Sequence, residues 1–152
     1  MSVTINASTS SGLIQTADTS GIIELQNNGT TAVTISSSNL QFNSGYGSVA
    51  TAYGCRAWVN FNGTGTVAIR ASGNVTSITD NGTGDYTVNF TTAMPDANYC
   101  VASVCGLSDA IVAGNTNRGF APRSYTTSTV RLIVTDGASG VDPLYCNVAI
   151  FR

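Results

Sequence analysis

Side chains able to do acid–base or nucleophilic chemistry are scarce in this chain. It contains no histidine and no lysine, and Glu24 is its only glutamate. A Ser-His-Asp or Cys-His arrangement therefore cannot be assembled, and neither can a Schiff base or a Ser-Lys pair. Seven aspartates remain, mostly in turn-like sequence. Two aspartates held ~5–10 Å apart could serve a glycosidase, but no pattern singles out such a pair. The expectation is a protein that is not an enzyme and needs no cofactor. Four cysteines, Cys55, Cys100, Cys105 and Cys146, permit two disulfides in any of three pairings. They lack the C-x-x-C spacing or histidine partners of a metal centre. The opening MSVTINASTSSG has neither the positive nor the apolar region of a secretion signal, so free, buried thiols are expected.

Repeated loops are the next place where chemistry could sit. NGTG occurs at 62–65 and 81–84, and the variant NNGT at 27–30. A phosphate loop would need GxxxxGK[ST], and the chain has no lysine. Asn-Gly favours positive φ at both positions, and each loop is followed by an apolar residue five and seven positions beyond its Asn. The pattern predicts a turn that sets the register of the following strand. Asp80 and Asp85, with Asn81 and Thr83 between them, are candidate calcium ligands because hard cations take such oxygens. Asp136 and Asp142 bracket a second acidic loop. Asp and Asn also cap turns through their own backbone, and that structural use is the expected one. Six N-x-[ST] sequons follow from the abundance of Asn and Thr.

For recognition, two places stand out. Trp58 alternates with Val59 and Phe61 and shares its face with Arg56 and Asn60; it could stack on a sugar or pack against another sheet or subunit. The stretch GNTNRGFAPRSYTTS (114–128) is polar and carries Asn115, Asn117, Arg118, Arg123 and Tyr125. It is the candidate receptor- or glycan-binding loop, since loops on a rigid β scaffold commonly carry binding.

Composition sets the limits on partners. Charged residues make up 9 % of 152 residues, and six scattered arginines leave a formal charge of −2. Nothing can neutralise a row of phosphates, so nucleic acid is not an expected partner. No apolar run reaches membrane-spanning length. A surface of Ser, Thr, Asn and Gly suits a larger assembly or neutral partners such as glycans.

The elements that must position these residues are strands. Helical stripes are missing, and period-two alternation recurs between Gly/Asn/Ser turns. Strands are expected at 2–6, 12–16, 21–26, 31–36, 55–62, 66–71, 73–79, 85–91, 98–105, 119–125, 128–135 and 144–151. In 55–62, Cys55, Ala57, Val59 and Phe61 share one face; in 85–91, Tyr86, Val88 and Phe90 share another. The fold class is all-β: an antiparallel β-sandwich or jelly-roll-like domain at 55–152, a connector at 46–54, and an N-terminal β segment at 1–45. Ile23, Leu25, Val33 and Ile35 are expected to line a buried face of that segment. About a dozen apolar side chains cannot close a core alone, so the segment must pack on the domain or on other copies.

Two stretches carry a resemblance. GLIQTADTSGIIELQNNGTTAVTI (12–35) resembles an N-terminal segment of small structural proteins of tailed bacteriophages. CRAWVNFNGTGTVAIRASGNVTSITDNGTGDYTVNFTTAMPDANYCV (55–101) is similar to a β module of phage tail-fibre and other virion proteins, in its RAWVNFNGTG and TTAMPDANY segments above all. The resemblance covers a little under half of the chain. It implies a virion component, β-rich and often homotrimeric, assembled in the host cytoplasm with other tail or capsid proteins, and it carries no catalytic signature. The expected function is a tail-fibre-like subunit that contributes to host attachment, with a cell-surface glycan as the ligand class. A capsid decoration or head-fibre protein is the alternative, and a glycan depolymerase ranks below both.

Overall fold

In a computed structural model, residues 21–36, 39–44, 49–106 and 118–152 are described. Among them the chain is built of antiparallel strands, with no helix. The strands are β1 (Ile22–Asn27), β2 (Thr30–Ser36), β3 (Asn39–Phe42), β4 (Ala50–Thr51), β5 (Cys55–Asn62), β6 (Ala68–Gly73), β7 (Val75–Gly82), β8 (Asp85–Phe90), β9 (Cys100–Gly106), β10 (Arg118–Tyr125), β11 (Thr129–Asp136), β12 (Ser139–Gly140) and β13 (Tyr145–Phe151). The chain divides into two compact units, 1–52 and 53–152. The strands expected at 2–6 and 12–16 lie outside the described residues.

The larger unit is a β-sandwich. One sheet has the order β6-β5-β13-β9; the other runs β10-β11-β8-β7, with β12 added to β11. Alternation dictates this arrangement. Ala57, Val59 and Phe61 of β5 and Cys146, Val148 and Ile150 of β13 face Tyr86, Val88 and Phe90 of β8 and Val130, Leu132 and Val134 of β11, all of them buried. The Phe61 ring meets Tyr86 edge-on at 5.2 Å, an arrangement that suits the ring quadrupoles. Cys55 departs from the expected face. A bulge drops Arg56 out of the β5–β13 ladder, so Cys55 pairs with Phe151 and is exposed.

Two of the chain crossings between the sheets, β6 to β7 and β9 to β10, join edge strands. Gly73 and Asn74 carry the chain from β6 to β7, and Asn74 takes φ 55. Its side-chain amide donates to the carbonyls of Arg56 and Thr92, and its Oδ1 accepts from the Thr92 N–H. At the other edge, Ser103 Oγ of β9 donates to the Phe120 carbonyl of β10 at 2.6 Å.

The smaller unit, in its described part, is one sheet of order β1-β2-β3-β4. The sequence-based reading missed β3 and β4, which are short and lie in or next to a polar, small-residue stretch. The pairing Ile23↔Ile35↔Leu40 and Leu25↔Val33↔Phe42 puts six apolar side chains on one face. That shared face agrees with the alternation, but its burial does not. Leu25, Ile35, Leu40 and Phe42 are 44–51 % exposed, and no buried hydrophobic residue belongs to this sheet.

The three similar loops are three different turns. Asn28 and Gly29 both take positive φ, at 50° and 75°, and close the two-residue hairpin expected of Asn-Gly. In 81–84 the strand continues through Asn81 and Gly82, and Thr83-Gly84 makes the turn. In 62–65 the chain leaves β5 in a wider loop held by Asn62, whose Oδ1 accepts from the N–H and hydroxyl of Thr64. Tertiary contacts decide the difference. A Cβ on Gly63 would sit 2.7 Å from the Tyr86 hydroxyl and 2.8 Å from the Pro143 carbonyl, and one on Gly84 would collide with the Val134 carbonyl.

Candidate functional site

The sandwich presents two outer faces of opposite character. On β8 and β7, with Arg131 of β11, the outward residues are polar and mutually bonded. Asn89 donates to the hydroxyls of Ser77 and Thr79, Asn81 donates to Thr87 Oγ1 and Asp85, and Arg131 grips Asp85 through two nitrogens. That hydrogen-bonded guanidinium holds the Asp85 carboxyl below its usual range. Such a ladder is satisfied within itself and needs no cover.

Arg123 sits at the edge of this face. It falls at the bulge where β10 pairing skips from Pro122 to Ser124, and bulges re-aim side chains. With Ser124, Arg131 and Ile133 it lines an open hollow of about 380 Å³. Tyr125, one residue on, pairs with Val130 and packs its ring against Tyr99 at 5.2 Å. It is a packing residue more than a free recognition residue. The strand expected at 119–125 is present as β10, so the candidate recognition stretch 114–128 is mostly strand, followed by a short turn at Thr126–Ser128. Asn115 and Asn117 lie outside the described residues.

The outer face of β6-β5-β13-β9 is apolar. Three rows of paired residues build it: Asn60–Asn147–Val104, Trp58–Ala149–Ala102 and Cys55–Phe151–Cys100. Ala71 and Gly73 of β6 stand beside Asn60 and Trp58. Trp58 is 45 % exposed, Val104 62 %, Phe151 38 %, and Tyr53 beside Phe151 73 %. The indole lies over Gly73, where a Cβ would come within 2.5 Å of its Nε1. Between Trp58 and Val104 runs a shallow trough of about 430 Å³ floored by Ala102 and Ala149. At one end Asn60 and Asn147 bond to each other, and Arg70 reaches Asn60, the Leu144 carbonyl and the Tyr145 ring.

The expected site residues do not converge. Trp58 belongs to one sheet and Arg123 and Tyr125 to the other. Arg56, expected beside Trp58, leaves the ladder at the bulge. Val104, on β9, and Ala149 and Phe151, on β13, escaped the sequence reading because these strands carry apolar residues in both phases, and the single outward Asn147 of β13 is too little to mark a polar face. Of the calcium candidates, Asp85 is committed to Arg131, and Asp80 accepts the Gly82 N–H across its own turn at 2.9 Å. Asp142 accepts from the Tyr86 hydroxyl and the Gly84 N–H, both at 2.7 Å. Among the described residues no group of three metal-ligating side chains occurs. The expected burial holds for Cys146 alone; Cys105 is half-buried, and Cys55 and Cys100 are exposed.

No family model matches the chain, and no curated protein or solved structure matches it either.

Proposed function

We propose that this chain is a non-catalytic structural subunit of a tailed-phage virion, tail-fibre-like, which self-assembles as a homotrimer and contributes to host attachment by binding. The observation that carries the reading is the division of labour between surfaces. Large exposed apolar side chains gather on two sheet faces, one in each unit, whereas the outer face of β8 and β7 with Arg131 is a polar, hydrogen-bonded ladder. Contiguous apolar faces of that kind mark contact with other protein, as a particle subunit requires. The residues that could do chemistry are engaged in structure: Asp85 in an ion pair, Asp142 beneath Tyr86, Cys146 in the core. The resemblance of 12–35 and 55–101 to virion proteins supplies the biological setting.

Host contact belongs to the polar side, where Arg123 projects from its bulge beside the Arg131–Asp85 pair. A saccharide offers hydroxyls for such a surface. Trimeric display would repeat a weak site three times, and avidity would strengthen binding without a new contact.

Immunodetection on purified particles of the phage that encodes the chain tests the assignment. Signal at the tail is expected; signal confined to the shell would favour the capsid-decoration alternative, and absence from the particle would end the reading. Arg123→Ala is expected to lower adsorption to host cells several-fold with an unchanged melting temperature. Unaltered adsorption would remove the hollow from the attachment surface.

A further inference from the structure

We infer that the outer face of β6-β5-β13-β9 is the surface through which copies of this chain meet one another, with Trp58 and Val104 as its ridges and Ala102 and Ala149 as its floor. The inference rests on the self-assembly in the proposed function and gives it a location.

Area is the first argument. Aromatic side chains carry ~150–250 Å² each, so Tyr53, Trp58, Val104 and Phe151 at their observed exposures leave roughly 400 Å² of largely apolar surface in water. A standard interface takes ~800 Å² from each partner. The four large side chains supply about half of that, and the alanines, exposed cysteines and Asn60–Asn147 rim between them extend the face.

Charge is the second argument, and it favours a second copy over a charged partner. A surface that meets its own image cannot be electrostatically complementary to itself if it carries net charge, because like charges then oppose each other. None of the residues in the three paired rows is charged. Of the guanidinium groups around its edge, Arg70 is occupied by Asn60, the Leu144 carbonyl and the Tyr145 ring, Arg152 is paired with Asp96, and Arg56 lies at the bulge, outside the three paired rows. A face evolved for a charged partner would show the opposite sign to it.

Shape is the third. Small residues at Ala71, Gly73, Ala102 and Ala149 lower the middle of the face, and Trp58 and Val104 stand on either side of the trough. Ridges of one copy can enter the floor of another, which brings sheets to the usual ~10 Å packing distance. The indole is already fixed over Gly73, so little side-chain entropy is lost when it is covered.

The test uses the full chain, with light scattering after size exclusion and acrylamide quenching of Trp58, the only tryptophan. The expected result is a multimer with Trp58 shielded. Ala149→Arg places a guanidinium in the floor, and Val104→Asp places a carboxylate on an exposed ridge that the fold itself tolerates. Each should weaken association by at least ~30-fold, the equivalent of a buried unpaired charge, and open Trp58 to quencher with an unchanged far-ultraviolet dichroism spectrum. Thr87→Arg on the polar sheet should leave the multimer intact. A wild-type monomer at ~100 µM, above the micromolar limit of standard interfaces, would overturn the inference. So would a multimer that survives both face variants and dissociates with Leu25→Asp or Leu40→Asp, or a monomer whose Trp58 is shielded only by a neutral polysaccharide. Each of these outcomes is independent of whether the protein is found on particles.

Discussion

Asn74 and Tyr86 show how single residues hold the sandwich together. Asn74 takes a left-handed backbone at φ 55 and makes three side-chain hydrogen bonds that tie the end of β6 to β5 and to the segment after β8. Asn tolerates that conformation better than most residues. Asn74→Ala should cost about 2–3 kcal/mol, combining backbone strain with lost bonds. Asn74→Gly should cost less, because it relieves the strain and loses only the bonds; urea unfolding of both variants gives the order. Tyr86 is fully buried, and its hydroxyl donates toward the Gly63 carbonyl and Asp142. Tyr86→Phe removes the donor that points at the Gly63 carbonyl and leaves Asp142 with its bond from the Gly84 N–H, and should cost about 1–3 kcal/mol by the same measurement. None of this was legible from residue type alone. Asp142 stood out in the sequence as an acidic loop residue, and only its position under Tyr86 and Gly84 shows that it is a structural acceptor.

At the scale of elements, the NGTG repeats separate what local sequence encodes from what packing imposes. Turns and strand register were readable, because Asn-Gly between alternating segments favours a turn wherever it falls. Which residues make the turn was not, since the same four letters form a tight hairpin at 83–84 and a wider loop after Asn62. The glycines should therefore differ in their tolerance of a side chain. Gly65 has φ 64 but open space around it, so Gly65→Ala should cost about 1–2 kcal/mol of conformational strain. Gly84 combines φ 70 with close backbone on β11 and at Val141, and Gly84→Ala should be far more damaging. Thermal melts of the two variants test this: equal melting temperatures would mean that the β7–β8 turn can move away from its neighbours. Strand faces were legible wherever one face is polar, as in β8, where Asp85, Thr87 and Asn89 mark the outside. In β9 and β13 apolar residues occupy both phases, with only Ser103 and Asn147 between them, so alternation could not reveal which face is exposed.

The whole molecule should respond to pH at its extremes and little in between. With no histidine in the chain, no side chain has an ordinary pKa near neutrality. On the alkaline side, burial raises the Cys146 thiol to about 12, with Cys105 adding to the shift, and raises Tyr99 to about 12, with Tyr125 adding to it. Burial and then the hydrogen bond to Asp142 push Tyr86 well above the usual tyrosine range. The unfolded chain releases these protons at ~8.5 for Cys and ~10 for Tyr, so above those values the folded state binds more protons and stability falls as pH rises. That contribution is complete below ~8.5 and is lost progressively toward pH ~12. Cys146→Ala should move the onset of the fall toward the tyrosine range; denaturant midpoints from pH 6 to 11 check it, and an unchanged onset would show that the thiol does not contribute. On the acid side, the Arg131 hydrogen bond lowers Asp85, and the Asn98 N–H, then Arg152, lower Asp96. Their stabilisation is present above ~3.9 and is lost as pH falls below it. The amino-acid sequence by itself determined that this chain is all-β, where most of its strands lie, and that the residues of familiar catalytic triads are missing, because period-two alternation, turn residues and the absence of His and Lys are local facts. Only the tertiary structure decided which glycines are crowded by neighbouring backbone, that Trp58 and Arg123 sit on separate sheets, and that Leu25, Ile35, Leu40 and Phe42 of the N-terminal sheet are half-exposed. Those depend on which strands become neighbours, and pairing across the sheets joins residues such as Gly63 and Tyr86 that local sequence cannot relate.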